Sequence, residues 1–311
     1  MTKFRWVGSS ALAAVTLGGG AALADEGRFE LRSENIVARS DPFAPDEELL
    51  TPFGAPFDLE TGFDSNTWLR WVQPLEGRQV VRFEQQVRVR TYFDRDDLDS
   101  LLLTPRVQYW NTFAENRFQF RISGAYSHLT RDGDTQWTRP ETEAQLRWRP
   151  AGDRSSETVV RLRLNAYDFE DAALDALDST RVRWGLEQFF RNEDETLQLR
   201  LGAFFETADA DSDAFSFEEV RGRAEVTWKP DDATSVIAGL DIRDRDYDAP
   251  LGPAFSSPRA DERFSADLRI ERQFSERITG FAGIGSLNNA SNIPVRDYGG
   301  ETFRVGVRIT L

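Results

Sequence analysis

Counting back from Leu311, apolar side chains fall on alternate positions, Ile309, Val307, Val305 and Phe303, with Thr310, Arg308, Gly306 and Arg304 between them. Side chains alternate faces along an extended strand, so such a segment has one oily and one polar surface. The pattern recurs about twelve times and predicts strands near 79–93, 101–113, 117–127, 138–149, 158–168, 180–190, 196–205, 219–229, 235–243, 263–274, 278–287 and 302–311. Each is about the length that crosses a bilayer when tilted, roughly ten residues. Asp, Gly, Pro, Ser and Asn bound them, as turns require. Links after the even-numbered strands are generally short, and links after the odd-numbered ones tend to be longer, such as 244–262 and 288–301. Short turns on one side and long loops on the other are the asymmetry of a transmembrane barrel. The expected fold is therefore all-β, an antiparallel up-and-down transmembrane barrel of about twelve strands.

One register satisfies every strand. It turns Phe83 and Val89, Phe120 and Ile122, Val160 and Leu162, Leu199 and Leu201, and Leu268 and Ile270 outward, and leaves nearly all charge inside. An Arg or Lys facing lipid at mid-bilayer costs about 2–4 kcal/mol, so a slipped register is excluded many times over. Gln85, Asn111 and Gln188 are polar exceptions on the outward face. Aromatics gather where strands end, at Trp110 and Phe113, Trp148, Phe189 and Phe190, Phe204 and Phe205, Trp228 and Phe274, positions suited to interfacial girdles. A soluble sandwich shows the same alternation against a protein core and is the alternative.

The N-terminal segment sets the expected compartment. Lys3 and Arg5 precede an apolar stretch from Val7 to Leu17, and Ala22-Leu23-Ala24 forms a small-residue cleavage site, so residues 1–24 read as an export signal. The chain has no Cys, which removes disulfides, thiolate metal sites and cysteine nucleophiles. Its 40% hydrophobic content and mean hydropathy of -0.52 resemble a soluble protein. A barrel meets lipid with only alternate residues, so low hydropathy does not count against it. Residues 25–78 contain Asp41-Pro42-Phe43-Ala44-Pro45 and Thr51-Pro52-Phe53-Gly54-Ala55-Pro56 and read as an irregular acidic segment, periplasmic or lumenal, before a barrel at 79–311. Stretches 28–38 and 66–72 offer one further strand pair, which would make fourteen; Trp68 and Trp71 are expected to pack at the barrel mouth.

The last hairpin carries a resemblance. Ser291-Asn292-Ile293-Pro294-Val295-Arg296-Asp297-Tyr298, followed by Phe303-Arg304-Val305-Gly306-Val307-Arg308, resembles the closing hairpin of the loosely defined β-barrel porin group of bacterial outer membranes. The resemblance implies an outer-membrane location, contact with membrane lipid and lipopolysaccharide, and insertion by the barrel assembly machinery. Such proteins usually end in Phe, where this chain has Leu311.

Function should show in the inward register. Arg82, Arg88, Arg90, Arg106, Arg121, Arg147, Arg161, Arg163, Arg181, Arg183, Arg221, Arg223 and Arg269 are the candidate lumen-lining binding residues, and Arg117, Arg149, Arg200, Arg243, Arg304 and Arg308 share their side. Against them stand only Glu84, Glu143, Glu187, Glu225, Asp241, Asp267 and Glu271, although the chain as a whole has a net charge of -15. The remaining acid is assigned to 94–99, 168–178, 206–213 and the N-terminal segment. Guanidinium groups on a low-dielectric wall favour anions and pair bidentately with carboxylate or phosphate. The expected function is a passive channel for small anionic solutes, acidic oligosaccharides among them by likeness of architecture to oligouronide porins. A charged network that merely fills the barrel is the competing reading.

Two other functions are carried as alternatives. Tyr126-Ser127-His128, with Asp132 and Asp134 near, contains the ingredients of a lipid hydrolase triad, but adjacent strand residues point apart and no His-x-Ser spacing is present. No enzymatic activity is expected. An export or assembly accessory would use residues 25–78 to meet periplasmic partners. No phosphate loop, metal cluster or nucleotide fingerprint appears, so neither cofactor nor metal is expected, and the overall acidity speaks against nucleic acid.

Overall fold

The computed structural model describes residues 27–40, 59–150, 155–252 and 255–311. Fourteen antiparallel strands close into one barrel: β1 Arg28–Ser40, β2 Glu60–Pro74, β3 Gln79–Tyr92, β4 Ser100–Phe113, β5 Phe118–Arg131, β6 Asp134–Trp148, β7 Ser156–Phe169, β8 Ser179–Arg191, β9 Leu197–Ala210, β10 Phe217–Asp231, β11 Thr234–Tyr247, β12 Ala260–Ser275, β13 Ile278–Ser291 and β14 Tyr298–Thr310. Each strand pairs with its sequence neighbours, and β1 closes the ring against β14. Closure leaves no unpaired edge. One end carries the links 93–99, 170–178, 211–216, 248–259 and 292–297, and the other carries shorter turns such as 75–78, 114–117, 232–233 and 276–277. The two-residue Asp132-Gly133 hairpin is the exception at the loop end; its φ values of 51° and 89° fit the tight turn that matches strand twist.

The expected count of twelve strands is corrected to fourteen, and the barrel begins at Arg28 instead of residue 79. The outward face of the first pair explains why. In register with Ile309, Val307 and Val305 of β14, β1 presents Ser33, Asn35 and Val37, and β2 presents Thr67 and Ser65 opposite the first two. These polar groups satisfy one another: the Ser33 and Thr67 hydroxyls are 3.0 Å apart, Asn35 Nδ2 donates to Ser33 Oγ at 3.2 Å, and Ser65 Oγ donates to Asn35 Oδ1 at 3.0 Å. A polar group facing an apolar medium is tolerated when hydrogen-bonded. Their presence erases the oily alternation that marks the other strands. The export signal at 1–24 and the two Pro-containing stretches lie outside the described residues.

Elsewhere the outward register is as expected. Val160, Leu162, Leu164, Leu201, Leu268 and Ile270 are all exposed, and Ile284 is 67% exposed, so the oily face of the sheet points away from the interior. Trp148, Phe190, Trp228 and Phe274 form an aromatic band near the turn end, joined by Phe113 stacked on Phe118 with ring centres 5.6 Å apart. Trp71 stacks outside on Phe83, whereas Trp68 turns inward beneath Arg32. Trp110, Phe189 and Phe204, expected in that band, share the inward parity of Arg106, Glu187 and Arg200 and face the interior.

Strands run 13 to 16 residues, longer than the pattern alone indicated, and the surplus is at the loop end. There the two faces exchange character. Tyr167, Phe169, Phe217, Tyr247 and Tyr298 turn inward and are buried, while Asp168, Asp209, Glu218, Asp244, Asp246 and Glu262 face out and are exposed. The loops complete an inward apolar plug. Leu98 and Leu177, each in a short 3-10 turn, pack with Leu129, Trp137, Tyr167 and Phe169. Both leucines precede an Asp-Ser pair. Asp99 accepts the Tyr92 backbone N–H at 2.8 Å, and Asp178 accepts that of Phe169 at 2.8 Å. Burial pushes both carboxyls above the usual carboxylate range, and neighbouring aspartates push the same way.

Candidate functional site

Within the barrel, acid lies against the wall and arginine lies over it. Glu143 on β6 meets Arg121 of β5 and Arg161 and Arg163 of β7, the last at 2.7 Å. Glu141 meets Arg106 at 3.3 Å, Arg163 at 3.7 Å and Arg139 at 3.9 Å. Glu157 holds Arg147 at 2.8 Å, Arg149 at 3.3 Å and Arg191 at 2.5 Å. Glu187 takes Arg161 at 2.9 Å and also Arg200; Glu206 takes Arg183 and, at 3.9 Å, Arg181; Glu219 takes Arg245 at 2.6 Å and Arg243 at 3.4 Å. Glu143, Glu157 and Glu187 side chains are 1% exposed, whereas Arg121, Arg147, Arg161 and Arg200 keep 14–26%. The cause is reach, since the short carboxylate stops near the wall and the longer guanidinium folds across it. Along this wall negative charge is therefore covered and guanidinium faces the interior, whereas Asp64, Asp241 and Glu225 keep 19–25% exposure beside their arginines.

The other predicted arginines also face inward. Arg88 and Arg90 of β3 share Asp64 of β2, at 3.0 and 3.4 Å. Arg221 pairs with Asp241 at 2.7 Å, Arg223 with Glu225 at 3.4 Å and Arg269 with Glu271 at 3.0 Å. Arg82 lies 5.7 Å from the Trp110 ring centre, which Arg121 also covers at 5.1 Å. Arg181 differs from the rest: it is 2% exposed and packed over Tyr167 at 4.2 Å and Phe217 at 5.5 Å. Arg245 stacks on Phe217 at 4.1 Å, Arg259 on Tyr247 at 4.7 Å and Arg139 on Tyr167 at 5.2 Å, with Arg139 also donating to the Tyr167 hydroxyl at 2.6 Å. Guanidinium groups stacked on aromatic faces gain about 0.5–2 kcal/mol each and fill this region.

Across the barrel, β12–β14 and β1–β3 border a cavity. Its volume is about 440 Å³, and it is lined by Asp64, Arg88 and Arg90 on one side and by Arg263, Asp267 and Arg304 on the other. The inward positions between them are small: Gly283 and Gly285 on β13, Ala38 on β1 and Gly62 on β2. A larger concavity of about 950 Å³ lies on the outer apolar face, where Pro105, Gly124 and Pro140 lower the relief beside Phe83 and Tyr126.

No protein-family model matches the sequence, and no curated protein matches it. Among solved structures the chain is similar to OmpT, an outer membrane protein of Vibrio cholerae (TM-score 0.53, 8% identity, covering 92% of this chain and 97% of that one). It is similar also to the outer membrane channel DcaP of Acinetobacter baumannii (TM-score 0.52, 12% identity, 92% and 97%) and to an anion-selective porin from Comamonas acidovorans (TM-score 0.51, 9% identity, 92% and 99%). The fold is that of the bacterial outer-membrane barrels.

As in any outer-membrane barrel, inward and outward residues alternate, and this separates the hydrolase candidates. Ser127 faces inward, buried, and accepts from Thr104 Oγ1 at 3.1 Å, while His128 points outward, 3.4 Å from Thr135 Oγ1. The two do not meet. Sequence reasoning missed Glu141, Glu157, Glu206 and Glu219 as interior acids. The alternation that predicts 196–205 stops one residue short of Glu206, and that predicting 158–168 starts one residue after Glu157. Extending the inward parity of Arg200 from the barrel to 206, and that of Arg161 back to 157, would have found both. The interior therefore carries more acid than expected.

Proposed function

We propose that the chain spans the outer membrane as a passive channel preferring small anionic solutes. The observation that carries this reading is the layering of charge around Glu141, Glu143, Glu157, Glu187 and Glu206, carboxylates at 1–4% exposure beneath guanidinium groups of Arg106, Arg121, Arg147, Arg161, Arg183 and Arg200 that keep 14–26%. A solute passing such a wall meets positive charge first, and the low dielectric of the wall keeps that field from being screened. The same ion pairs hold the strands together, so the network is at once scaffold and lining. The cavity at the β14–β1 closure supplies the path. The Comamonas acidovorans porin of the same fold is described as anion-selective, in keeping with this reading. In it, residues 1–24 direct export, the barrel assembly machinery inserts the strands, and the exposed acidic collar above the apolar belt contacts lipopolysaccharide.

Swelling of proteoliposomes tests it. Solutes of similar size but opposite charge, sodium gluconate and N-methylglucamine chloride, are compared with neutral sorbitol. Gluconate should enter fastest and N-methylglucamine slowest; the reverse order, or no swelling beyond that of empty liposomes, would defeat the proposal.

A further inference from the structure

The cavity at the barrel closure differs from the rest of the interior in what its charges lack. Asp267 on β12 and Arg304 on β14 both line it, both are half-buried, and among the described residues neither makes a hydrogen bond or ion pair, with each other or with anything else. A half-buried charge without a partner is costly, and proteins keep such groups where a ligand completes them. The two are held apart by construction. Asp267 is in register with Gly285, and Arg304 with Gly283, so β13 stands between them and presents no inward side chain at either position. Two strand spacings separate them, about 10 Å across the sheet. Neither glycine admits a side chain freely. A Cβ at Gly285 would lie 2.6 Å from the Ala266 carbonyl and 2.8 Å from Thr302 Oγ1, and one at Gly283 3.0 Å from the Leu268 carbonyl. The bare stretch of β13 is thus a requirement of the packing, and the recess lined by Asp267 and Arg304 has a volume of about 440 Å³, within the range of small-molecule sites, roughly 300–1,000 Å³.

Opposite Asp267 and Arg304 stand Arg88 and Arg90, two guanidinium groups that both pair with Asp64. Of the other charges lining the recess, Arg263 donates to the Tyr298 hydroxyl at 3.2 Å, Arg39 has the outward parity and Asp64 is taken by the two arginines, so the recess offers Asp267 to a cation, and Arg304 and the Arg88–Arg90 side to carboxylates. From this we infer that it is a binding site for amino-bearing dicarboxylates, the class of the acidic amino acids. The solute's ammonium group meets Asp267, one carboxylate pairs with Arg304, and the second is drawn to the Arg88–Arg90 side. A neutral zwitterion would leave the second cationic side unused, and a plain dicarboxylate would leave Asp267 unpaired. This inference rests on the channel reading and adds to it a station at which one solute class pauses.

The test is current block in planar bilayers holding the full protein, with L-glutamate and glutarate as probes, since they differ by the ammonium group. Glutamate should reduce the current at a concentration about tenfold lower than glutarate, which converts to about 1.4 kcal/mol. Asp267→Asn should abolish the difference by weakening glutamate block, and Arg304→Gln should weaken block by both probes. Among the described residues neither has a partner to lose, and heat-modifiable gel migration verifies that each variant is folded. Equal block by the two probes, or an unchanged glutamate-to-glutarate ratio in Asp267→Asn, overturns the site. If that happens while gluconate still outruns N-methylglucamine in the swelling assay, the site alone has failed. If the swelling order also reverses, the channel reading has failed with it.

Discussion

The wall from β5 to β11 and the wall where β14 meets β1 share strand geometry, and arginine faces inward in both, yet they use it differently. On the first, nearly every carboxylate serves two or three guanidinium groups, and Tyr167, Phe217 and Tyr247 fill the gaps. On the second, Glu34, Glu271 and Asp64 also serve two guanidinium groups each, but glycine and alanine occupy inward positions, and among the described residues Asp267 and Arg304 stand unpaired. Charge that is cross-linked holds a barrel together; charge left unlinked is available to a solute. The contrast assigns strength to one side and recognition to the other.

The most damaging change should be Glu143→Ala. It removes the carboxylate that three arginines share; Arg161 keeps Glu187 and Arg163 keeps Glu141, but Arg121 is left partly buried against Trp110 without its carboxylate, a loss of about 3–5 kcal/mol. Reversible urea unfolding in lipid vesicles measures it, with Arg304→Ala as the counterpart expected to leave stability unchanged. Equal effects would erase the distinction between the two walls. Next in size is the outward face. Leu162→Arg places a charge in the middle of the apolar belt and should cost about 2–4 kcal/mol in the same assay; a neutral result would mean that this face does not meet lipid.

How far the molecule could be read from its sequence follows from the same contrast. Wherever the outward face is oily, as at Val160 to Leu164 or Leu268 to Ile270, parity identifies both strand and side, because one misplaced charge costs more than any local preference. Where Ser33, Asn35, Ser65 and Thr67 replace oil by a hydrogen-bonded polar patch, the period-two signal vanishes and two strands read as irregular chain. At the loop end the signal inverts, with tyrosine and phenylalanine turning inward and acid outward, so the alternation ends before the strand does and Glu206 reads as a loop residue. The candidate arginines were legible as a set from parity alone. Which of them are bound down and which are free was not, because that depends on partners from neighbouring strands far away in sequence. Arg163 and Glu143 are twenty residues apart, and Arg308 reaches Glu34 across the closure of the ring.

Smaller effects sharpen the picture at the loop end. Tyr167→Phe keeps the ring beneath Arg139 and Arg181 but deletes the hydroxyl that accepts from Arg139 at 2.6 Å, and should cost about 1–2 kcal/mol in urea unfolding. No loss would mean that the stacking alone holds that corner. The smallest effect concerns pH. The Asp99 and Asp178 carboxyls are raised in the folded protein, so the docking of their loops is complete below the ordinary carboxylate value and weakens as pH rises through the raised one. Amide exchange in 93–99 and 170–178, corrected for intrinsic rates, should therefore show more protection at pH 4 than at pH 7, and Asp99→Asn should flatten the trend for the first loop. Protection that falls on acidification would contradict the burial seen for these groups.

The central claim, that arginine lies over buried acid and makes the interior cationic, is tested most directly by the zero-current potential across a planar bilayer in a tenfold potassium chloride gradient. The account predicts a sign showing chloride to be the more permeant ion, with the preference diminished as salt is raised on both sides. A potential of the potassium sign would contradict it.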